Sequence, residues 1–485
     1  MRDPVMVTHR GAGMSDSEML AGISPELLAR YDVAGPRYTS YPAVPDWNKA
    51  PDAAGWAAHL AALGAPDTSI ALYVHLPFCA SQCLYCGCNA TVTTRAEIVD
   101  RYLVRLRIEL DMLSRAMGGR PRVSEMHWGG GTPNFLNDAQ LATLHDVLLS
   151  TFEIGTHTES SLEADPRLVT RSQLRLLRQL GFTRVSFGVQ DLDAVVQQAI
   201  GRVQPRAMVQ DAVTLAREEG FTGINFDLIY GLPHQTPERF AATVSDSLAM
   251  HPDRIACFGY AHVPWMRAHQ RRIDMQSLPG ATARFSLFRD AVQRFVGAGY
   301  EWIGIDHFAR PDDALTQAMR SGALHRNFMG YTTQHSPHLL GVGVSAISSV
   351  NGWFVQNAPR LGEWQRRLEA GVLPVIGGHI LTSDDQVRGA AIAHLMCHAA
   401  LPATRYPDDK ATMQALYSPF VDDGLVTFED SGLRATAQGR WLLRNLAFPL
   451  DAYRARRHTA PITAIAKDDL SHAPEIVAPR FSRAV

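Results

Sequence analysis

Short apolar runs alternate with helical patterns through the middle of the chain. The runs are rich in β-branched and aromatic residues, and each has the length of a single strand. Six of them lie at Ile70–Phe78, Val123–Trp128, Ser160–Ala164, Arg184–Val189, Ile224–Tyr230 and Ile255–Tyr260. A further run at Tyr300–Ile305 is a candidate to close the series.

The segments between these runs carry apolar residues at helical spacing. Intervals of three and four residues put one apolar stripe on a helix, here formed by Leu103, Leu106, Leu110, Leu113 and Met117. A second helix is predicted to start at Pro166 and to end near Gly181, since proline suits a first helical turn and glycine a C-cap. Alternating strands and helices form right-handed βαβ units, so we predict an α/β fold with an open or closed barrel of about six units.

The two ends of the chain follow other patterns. An irregular arm precedes the first strand, and the alternation stops near Gly371, where GVLPVIGGHI is interpreted as a linker. A helix is predicted to start at Thr382, followed later by a hairpin with its turn at Ser431 and Gly432. We therefore predict an N-terminal arm or lid at 1–68, a barrel at 69–370, a small, mainly helical domain of winged-helix type at 371–465, and a tail at 466–485.

Composition narrows the functional classes. The chain has 485 residues, a formal net charge of −2 and a pI of about 6.8, so no broad nucleic-acid surface is expected. It has no apolar run of the roughly 18 residues that a membrane span needs, and its N-terminus has no apolar signal region. We expect a cytoplasmic protein without membrane attachment. Four of its six cysteines lie within ten residues, which in that compartment indicates metal or redox chemistry.

The clustered cysteines follow directly on the first strand. Cys79, Cys83 and Cys86 have the spacing Cys-x-x-x-Cys-x-x-Cys, and Cys88 follows two residues later. Three thiolates can bind three irons of a [4Fe-4S] cluster and leave the fourth iron open for a small molecule. A structural zinc site is the alternative, although its usual pattern is two separated pairs of cysteines. The spacing and its place after a strand resemble the radical SAM superfamily, which implies that Cys79, Cys83 and Cys86 bind the cluster.

A glycine run follows the second strand, at Gly129, Gly130 and Gly131, and continues into Thr132. Glycines without Cβ allow a ligand to approach the backbone closely, and a simple tight turn is the alternative. Radical SAM enzymes carry a similar segment at this place. The resemblance implies that its backbone and Thr132 receive the amino group of S-adenosylmethionine (SAM).

Polar residues interrupt strands that should be apolar. Glu163 ends the third strand, Gln190 ends the fourth, and Asp227 lies inside the fifth. Buried parallel strands are normally continuous apolar runs, and a buried carboxylate is costly unless it is paired. These residues predict one polar pocket over the barrel mouth, with structural hydrogen bonds as the alternative. Arg202 is a candidate to bind a carboxylate through two hydrogen bonds, or else a surface arginine.

The motifs together resemble the bacterial oxygen-independent coproporphyrinogen III oxidases. The match runs in one order from about Gly35 to about Leu450 and includes GPRYTSYP, YVHLPFCASQCLYCGCN, WGGGTP, SLEADPR, GVQD, FDLIYGLPHQTPE, YAHVP, IDHFARPDD, LHRNFMGYTTQ and LLGVGVSAIS. The resemblance implies a partial (β/α)6 barrel of TIM type with an N-terminal arm and a small helical C-terminal domain. Cys88 gives the CxC ending that marks this family and is not expected to be a cluster ligand.

The resemblance also implies the residues that contact one or two SAM molecules. They are Tyr73, Tyr85, Gly130, Gly131, Thr132, Glu163, Gln190, Arg202, Asp227, Ala261 and Ile347. Glu163 and Arg202 are expected to act with the three cysteines in catalysis. Members of the family often have phenylalanine where Tyr85 stands.

The implied reaction is the conversion of two propionates of coproporphyrinogen III to vinyl groups by a 5′-deoxyadenosyl radical. It needs an electron donor such as a flavodoxin or ferredoxin, and a monomer is expected. The alternatives are a radical-SAM-like haem chaperone or another tetrapyrrole-modifying radical SAM enzyme. A winged-helix DNA-binding regulator is a further alternative, disfavoured by acids at Asp408, Asp409, Asp422, Asp423, Glu429 and Asp430.

The four propionates of such a substrate need basic partners. Candidates are Arg37, Arg310, His325 and Arg326, and the cavity wall is expected to include Tyr331, Thr332, Thr333 and Gln334. The arm carries Tyr38, Tyr41 and Trp47, which either cover the cavity or pack against the barrel.

Overall fold

The structure is a computed structural model that describes residues 22–48, 51–65, 67–334 and 336–454. The tail predicted at 466–485 and the first residues of the arm lie outside these ranges. The strands are β1 (Ser69–Leu76), β2 (Phe78–Cys79), β3 (Thr91–Val92), β4 (Arg122–Gly130), β5 (Glu159–Ala164), β6 (Phe182–Gln190), β7 (Gly223–Tyr230), β8 (Arg254–Gly259), β9 (Glu301–Trp302), β10 (His307–Ala309), β11 (His325–Asn327), β12 (Gly330–Thr332), β13 (His338–Val342), β14 (Ile347–Val350), β15 (Trp353–Asn357), β16 (Val375–Ile380), β17 (Ala400–Pro402), β18 (Val426–Glu429) and β19 (Gly432–Ala435).

The helices connect these strands. They are α1 (Pro25–Tyr31), α2 (Ala53–Leu60), α3 (Ala96–Met117), α4 (Asp138–Thr151), α5 (Arg171–Gln179), α6 (Ala194–Ala199), α7 (Arg206–Glu218), α8 (Pro237–Ala249), α9 (Ala281–Gly297), α10 (Ala314–Ser321), α11 (Leu361–Glu369), α12 (Ser383–His398), α13 (Lys410–Asp422), α14 (Ala437–Trp441) and α15 (Leu443–Leu446). Within the described ranges, no helix has the length and apolar character needed to cross a membrane.

One sheet organises the molecule. Its order is β16-β15-β14-β13-β1-β4-β5-β6-β7-β8-β10-β9, and all neighbours from β13 to β8 are parallel. The strands β1 and β4 to β8 coincide with the six predicted runs, and helices join them. The predicted α/β partial barrel is therefore confirmed.

The series ends differently from the prediction. Within Tyr300–Ile305 only Glu301–Trp302 is a strand, and it lies at the sheet edge, antiparallel to β10. The parallel set instead continues on the other side of β1 through β13, a strand that the sequence analysis did not predict. The run at 300–305 therefore extends the open sheet and does not close a barrel.

The apolar stripe of α3 is buried as predicted, but α5 begins later than expected. Pro166–Leu168 is a separate 3-10 turn, and α5 starts at Arg171. The hydroxyl of Thr170 accepts a hydrogen bond from the backbone N–H of Gln173, which caps the new start. The proline therefore begins a short 3-10 turn between β5 and α5.

The inner faces of the strands carry polar residues, as the interruptions of the apolar runs predicted. Burial alternates along β5, where Leu162 packs outward and Glu163 faces the open interior. At the amino ends of the strands, Arg184 and Arg254 both pair with Asp313. Because the barrel is partial, its interior is open enough for polar side chains, and only the outer face needs continuous apolar packing.

The C-terminal region contains the predicted helix start and hairpin. Thr382 and Asp385 form a capping box for α12, and β18 and β19 pair through a turn at Asp430 and Ser431, one residue earlier than predicted. The predicted linker is different, since Val375–Ile380 forms β16 and pairs with β15 at the sheet edge. The domain boundaries themselves stay predictions.

The N-terminal arm packs against the C-terminal region and does not cover the cavity with its aromatic rings. Tyr38 is buried, and its hydroxyl donates to Asp451 at 3.0 Å. Tyr41 accepts a hydrogen bond from the N–H of Ala452, and Trp47 stacks on Phe354. The packing alternative therefore holds for these three aromatic residues.

Glu109 joins α3 to the accessory strands and to α11. Its carboxylate is buried and accepts hydrogen bonds from Gly343 N–H (3.0 Å), Asn357 Nδ2 (2.7 Å) and Trp364 Nε1 (3.0 Å). Burial raises the pKa of Glu109 to about 7, although these three donors act in the opposite direction. One side chain thus satisfies donors from three separate segments.

We expect Glu109→Leu to destabilise the fold by about 2–6 kcal/mol, because Gly343 N–H and Trp364 Nε1 lose their acceptor in a buried place. Urea unfolding measured beside Asp111→Leu, an exposed position on the same helix, checks this. Equal urea midpoints for the two variants would contradict the stabilising role of the Glu109 hydrogen bonds.

Candidate active site

A cavity of about 460 Å³ opens at the carboxyl ends of the parallel strands. This is the end at which barrel folds place their chemistry. The predicted site residues in its wall are Cys79, Cys83, Tyr85, Cys86, Gly131, Thr132, Glu163, Gln190, Arg202, Asp227 and Ala261. Parallel pairing therefore brings together residues that are spread over more than 180 positions of the chain.

The cysteine loop is held at both ends by backbone hydrogen bonds. Phe78–Cys79 pairs in parallel with Thr91–Val92, which closes the loop. Inside it, the N–H of Leu84 donates to the carbonyl of Ile200 at 2.9 Å. The loop is therefore fixed to β2, β3 and the segment after α6 rather than projecting freely.

Each of the three predicted cluster thiols has one polar neighbour. Cys79 Sγ lies 3.4 Å from Thr132 Oγ1, and Arg202 Nη1 donates to Cys83 Sγ at 3.6 Å. The backbone N–H of Cys88 donates to Cys86 Sγ at 3.4 Å. Hydrogen bonds from Cys88, helped by the charges of Arg267 and Arg202, lower the pKa of Cys86 to about 7.

These thiols fit a [4Fe-4S] cluster better than a single ion. Among the described residues, no three histidine, cysteine or acidic side chains are gathered as ligands of one metal ion. A cluster needs no such convergence, because each thiolate binds a different iron. Three soft thiol ligands facing one cavity are the ligand set that iron–sulfur clusters require.

The glycine run packs beneath the cysteine loop. A Cβ on Gly130, whose φ is +112°, would lie 2.4 Å from the ring of His75. A Cβ on Gly131 would lie 2.7 Å from the backbone of Pro77 and Phe78. The N–H groups of Gly131 and Thr132 donate to the carbonyls of Leu76 and Phe78. The run is thus required for close backbone approach, while its contact with SAM stays a prediction.

Glu163 is oriented by the neighbouring strand. Its carboxylate accepts a hydrogen bond from Gly130 N–H at 3.1 Å and lies 3.6 Å from His127 Nε2. Burial alone would raise the pKa of Glu163, but these two partners hold it below its usual range. The ring of His127 is fixed in turn by Ser161 at 2.8 Å. Glu163 is thus an oriented anion facing the cavity.

Arg202 is buried and not a surface arginine. Its guanidinium donates to Asp165 (3.0 Å), to the carbonyl of Gly188 (2.8 Å) and to Gln204 (3.1 Å). Asp165 also pairs with Arg167, which lines the cavity. The guanidinium of Arg202 is thereby held beside Cys83.

Sequence reasoning missed Asp165 and His127 as site residues. Asp165 stands two positions after Glu163, directly after β5, so its place at a strand end was a usable signal. His127 lies on the inner face of β4, where it alternates with buried residues. This alternation alone did not indicate a site, because the sequence does not show that the inner face lines an open cavity.

Three predicted residues lie outside the cavity wall. Tyr73 lies on β1 and its hydroxyl contacts His75 at 3.1 Å, while the N–H of Gly130 bonds to Glu163. Ile347 begins β14 and approaches the backbone of Gly341 closely. Their contacts with SAM stay predictions.

The four candidate propionate partners occupy different places. Arg37 lines the cavity, and Arg326 lies behind it, donating to the carbonyls of Arg37 and Tyr38. His325 lies opposite Thr332 in the β11–β12 hairpin. The prediction for Arg310 was wrong, because it follows the antiparallel strand β10 and so lies at the amino end of β8, away from the cavity.

The predicted wall at residues 331–334 also differs. Tyr331 is buried, and its hydroxyl donates to the carbonyl of Met396. Thr332 donates to Glu125 inside the barrel at 2.6 Å. Neither belongs to the described wall of the cavity, because both side chains are used to attach the β11–β12 hairpin.

Asp227 completes the polar interior. Its carboxylate accepts hydrogen bonds from Ser186 Oγ and Asn225 Nδ2, both at 2.9 Å. Burial and the nearby charge of Glu163 raise the pKa of Asp227 to about 6. At neutral pH this group is therefore an anion in an unfavourable setting.

Comparison with known proteins agrees with this geometry. The family model described as the radical SAM superfamily matches residues 73–246. Oxygen-independent coproporphyrinogen III oxidase of Salmonella typhimurium strain LT2 is 40% identical over 435 residues, which is 88% of this chain and 94% of that protein. The enzyme of the same name from Escherichia coli strain K12 is 40% identical over 436 residues, again 88% and 94%.

A solved structure is also similar over most of the chain. Coproporphyrinogen III oxidase from Escherichia coli, described as a radical SAM enzyme, superposes with a TM-score of 0.82 at 39% identity. The superposition covers 86% of this chain and 97% of that one. The likeness therefore includes the N-terminal and C-terminal regions as well as the barrel.

Asp227 supplies a pH-dependent prediction. A carboxyl whose pKa is raised by folding stabilises the fold while it is protonated, and this contribution is lost as pH rises from about 4 through 6. We expect Asp227→Asn to be more stable than the unsubstituted protein at pH 7.5, by on the order of 1 kcal/mol, and equally stable at pH 4. Urea midpoints at both pH values check this, with the exposed Asp211→Asn as control. Lower stability of Asp227→Asn at pH 7.5 would contradict it.

Proposed function

This chain belongs to the oxygen-independent coproporphyrinogen III oxidases of the radical SAM superfamily, and we propose that its cavity converts two propionates of coproporphyrinogen III to vinyl groups, giving protoporphyrinogen IX. The observation that carries this proposal is the meeting of Cys79, Cys83 and Cys86 with the oriented Glu163 in one cavity. Its cofactors are a [4Fe-4S] cluster and SAM. We assign the three thiolates as cluster ligands.

When bound, the cluster and SAM would supply radical chemistry able to remove one hydrogen atom from the β-carbon of a propionate. Loss of CO2, together with transfer of one electron to a separate one-electron acceptor, would then leave a vinyl group. The chain's own residues bind and orient the reactants. Two such events complete the reaction.

Glu163 and Thr132 are proposed to hold SAM beside the cysteine loop. The ionised Glu163 offers a hydrogen-bond acceptor to the ammonium or to ribose hydroxyls. Gln190 and Asp227 offer further polar groups in the same wall. His127 acts as a positioning residue, since it touches Glu163 and faces it toward the cavity.

Arg202 and Tyr85 are proposed to serve a second SAM molecule where two are bound. The guanidinium of Arg202 already donates hydrogen bonds to Asp165 and to the carbonyl of Gly188. Its effect on a ligand is therefore mainly that of a fixed positive charge.

We also propose that the protein is a cytoplasmic monomer without nucleic-acid or membrane partners. The net charge of −2 supports the absence of a broad nucleic-acid surface.

The electron donor is proposed to be an acidic one-electron carrier such as a flavodoxin or ferredoxin. The loop after β8 donates from Arg267, His269 and Gln270 to carbonyls of the cysteine loop. The same loop exposes Trp265 (44%) and Met266 (66%), and the exposed Arg271 and Arg272 follow. An apolar patch rimmed by positive charge, directly against the cysteine loop, suits an acidic carrier protein.

The reaction is tested by anaerobic incubation with coproporphyrinogen III, SAM and a reductant, with products separated by chromatography. We expect protoporphyrinogen IX, methionine and 5′-deoxyadenosine, all absent in Cys83→Ser, because one cluster ligand is missing. Cys88→Ser should keep the cluster absorbance. SAM cleavage without decarboxylation would move the substrate elsewhere, and tight haem binding without cleavage would favour a chaperone.

The donor surface is tested with Arg271→Glu/Arg272→Glu. We expect flavodoxin affinity on a sensor surface to fall by about tenfold or more at low salt, because attraction becomes repulsion. Turnover driven by flavodoxin should fall, and turnover driven by dithionite should not. Arg115→Glu/Arg294→Glu reverses two exposed charges in the last turns of α3 and α9, at the opposite end of the barrel. Equal effects of both pairs would overturn the assignment.

A further inference from the structure

A small recess adjoins the main cavity. It has a volume of about 40 Å³, and Arg37 and Gly259 line both spaces. Gly259 ends β8, so the recess lies at the carboxyl edge of the sixth parallel strand. A recess of this size has room for a carboxyl group and none for a tetrapyrrole ring.

The described lining of the recess contains two guanidinium groups and one carboxylate. Arg37 Nη1 lies 3.5 Å from Asp306 Oδ2, and the second guanidinium belongs to the buried Arg444. The other carboxylate oxygen of Asp306, Oδ1, is hydrogen-bonded to His307 Nδ1 at 2.7 Å. Arg37 Nη2 donates to the uncharged carbonyl of Gly259 at 3.3 Å, so the long contact with Asp306 is the carboxylate contact that the described structure gives Arg37.

Further positive charge lies around the recess. Arg326 donates a hydrogen bond to the carbonyl of Arg37, and its charge lowers the pKa of Asp306. Arg284 donates to the carbonyl of Tyr260, the residue after Gly259. Within the described structure, the Nε atoms of Arg284 and Arg326 are buried without a hydrogen-bond partner. Neither residue lines the recess, so both add positive charge around it and no hydrogen-bond donor to it.

The pKa directions agree with this excess of positive charge. Burial alone would raise the pKa of Asp306, but His307, Arg37 and Arg326 hold it far below its usual range. Burial, and then the charge of Arg37, lower the pKa of Arg444 to about 9. A second carboxylate in the recess would relieve this repulsion.

Apart from Tyr230, the other walls are apolar. Phe285, Phe288 and Trp441 line the recess and limit water. Attraction between a guanidinium and a carboxylate is stronger where water is excluded. Arg37 still reaches the main cavity, so a carboxylate bound to it can belong to a molecule that fills that cavity.

We propose that this recess binds a propionate carboxylate of the substrate, one that is not decarboxylated, through Arg37. The inference rests on the proposed function and deepens it. An anchored propionate would fix which ring faces the cofactors. Arg444 and Arg326 act as positioning residues, because they bond to the backbone of the arm at Gly35, Pro36, Arg37 and Tyr38.

The test uses coproporphyrin III, the stable oxidised form of the substrate, and its tetramethyl ester as fluorescent probes of binding to the full chain. We expect Arg37→Gln to weaken coproporphyrin III binding about ten- to a hundredfold, because a charge-assisted hydrogen bond is lost. Binding of the ester should not change. Arg310→Gln, at the far end of β8, serves as the matched control.

Asp306→Asn separates recognition from structural support. If Arg37 binds the ligand, removing its competing carboxylate should keep or strengthen coproporphyrin III binding. Weaker binding in both Arg37→Gln and Asp306→Asn, with lowered melting temperatures, would overturn the proposal in favour of a structural pair. So would equal weakening of the ester.

A second measurement distinguishes this proposal from the function on which it rests. Arg37→Gln is expected to bind SAM with unchanged affinity and to raise the KM for coproporphyrinogen III more than it lowers kcat. Failure of the unsubstituted protein to decarboxylate coproporphyrinogen III would reject the proposed function. The coproporphyrin binding series would still decide the recess by itself.

Discussion

The parallel pairing of β1 with β4 is the constraint on which the site depends. It places His75 opposite Gly129 and Leu76 opposite Gly130, so the cysteine loop and the glycine run leave the sheet side by side. Two further hydrogen bonds, from Gly131 to Leu76 and from Thr132 to Phe78, continue the pairing beyond the strands. Residues with a Cβ at Gly130 or Gly131 would force the two segments apart. The distance between the cysteine loop and the glycine run is therefore set by backbone contact.

Polar side chains fill the barrel interior because the barrel is partial. A closed barrel of this size packs its centre with aliphatic layers, whereas here the inner strand positions carry Glu163, Asp227 and His127, and Arg202 reaches the cavity from the segment after α6. Each has partners that satisfy part of its hydrogen-bonding capacity, and Glu163, Asp227 and Arg202 also line the cavity. Asp227 shows the energetic consequence, since its raised pKa means that its ionised form opposes folding. The interior thus keeps polar side chains at the cavity at some cost in stability.

The regions outside the barrel serve to hold its open side. Glu109 joins α3 to the segment between β13 and α11, and the arm packs on the C-terminal residues through Tyr38 and Tyr41. This packing carries Arg37 into the wall of the cavity. The cysteine motif lies outside the terminal regions. We propose that these regions position the substrate and that the strand ends position the cofactors.

The sequence alone determined the alternating βα order, the cysteine spacing and the polar residues at strand ends, because these signals are local or have a fixed period. Its motifs also indicated the family. It did not determine that β13 extends the parallel set, that GVLPVIGGHI forms β16, or that Arg310 lies at the wrong end of β8, since each depends on which distant strand becomes a neighbour. The same holds for Asp165 beside Arg202 and for Asp306 beside Arg37, 37 and 269 positions apart. Pairing between residues so far apart leaves no period in the chain, and only the tertiary structure decided it.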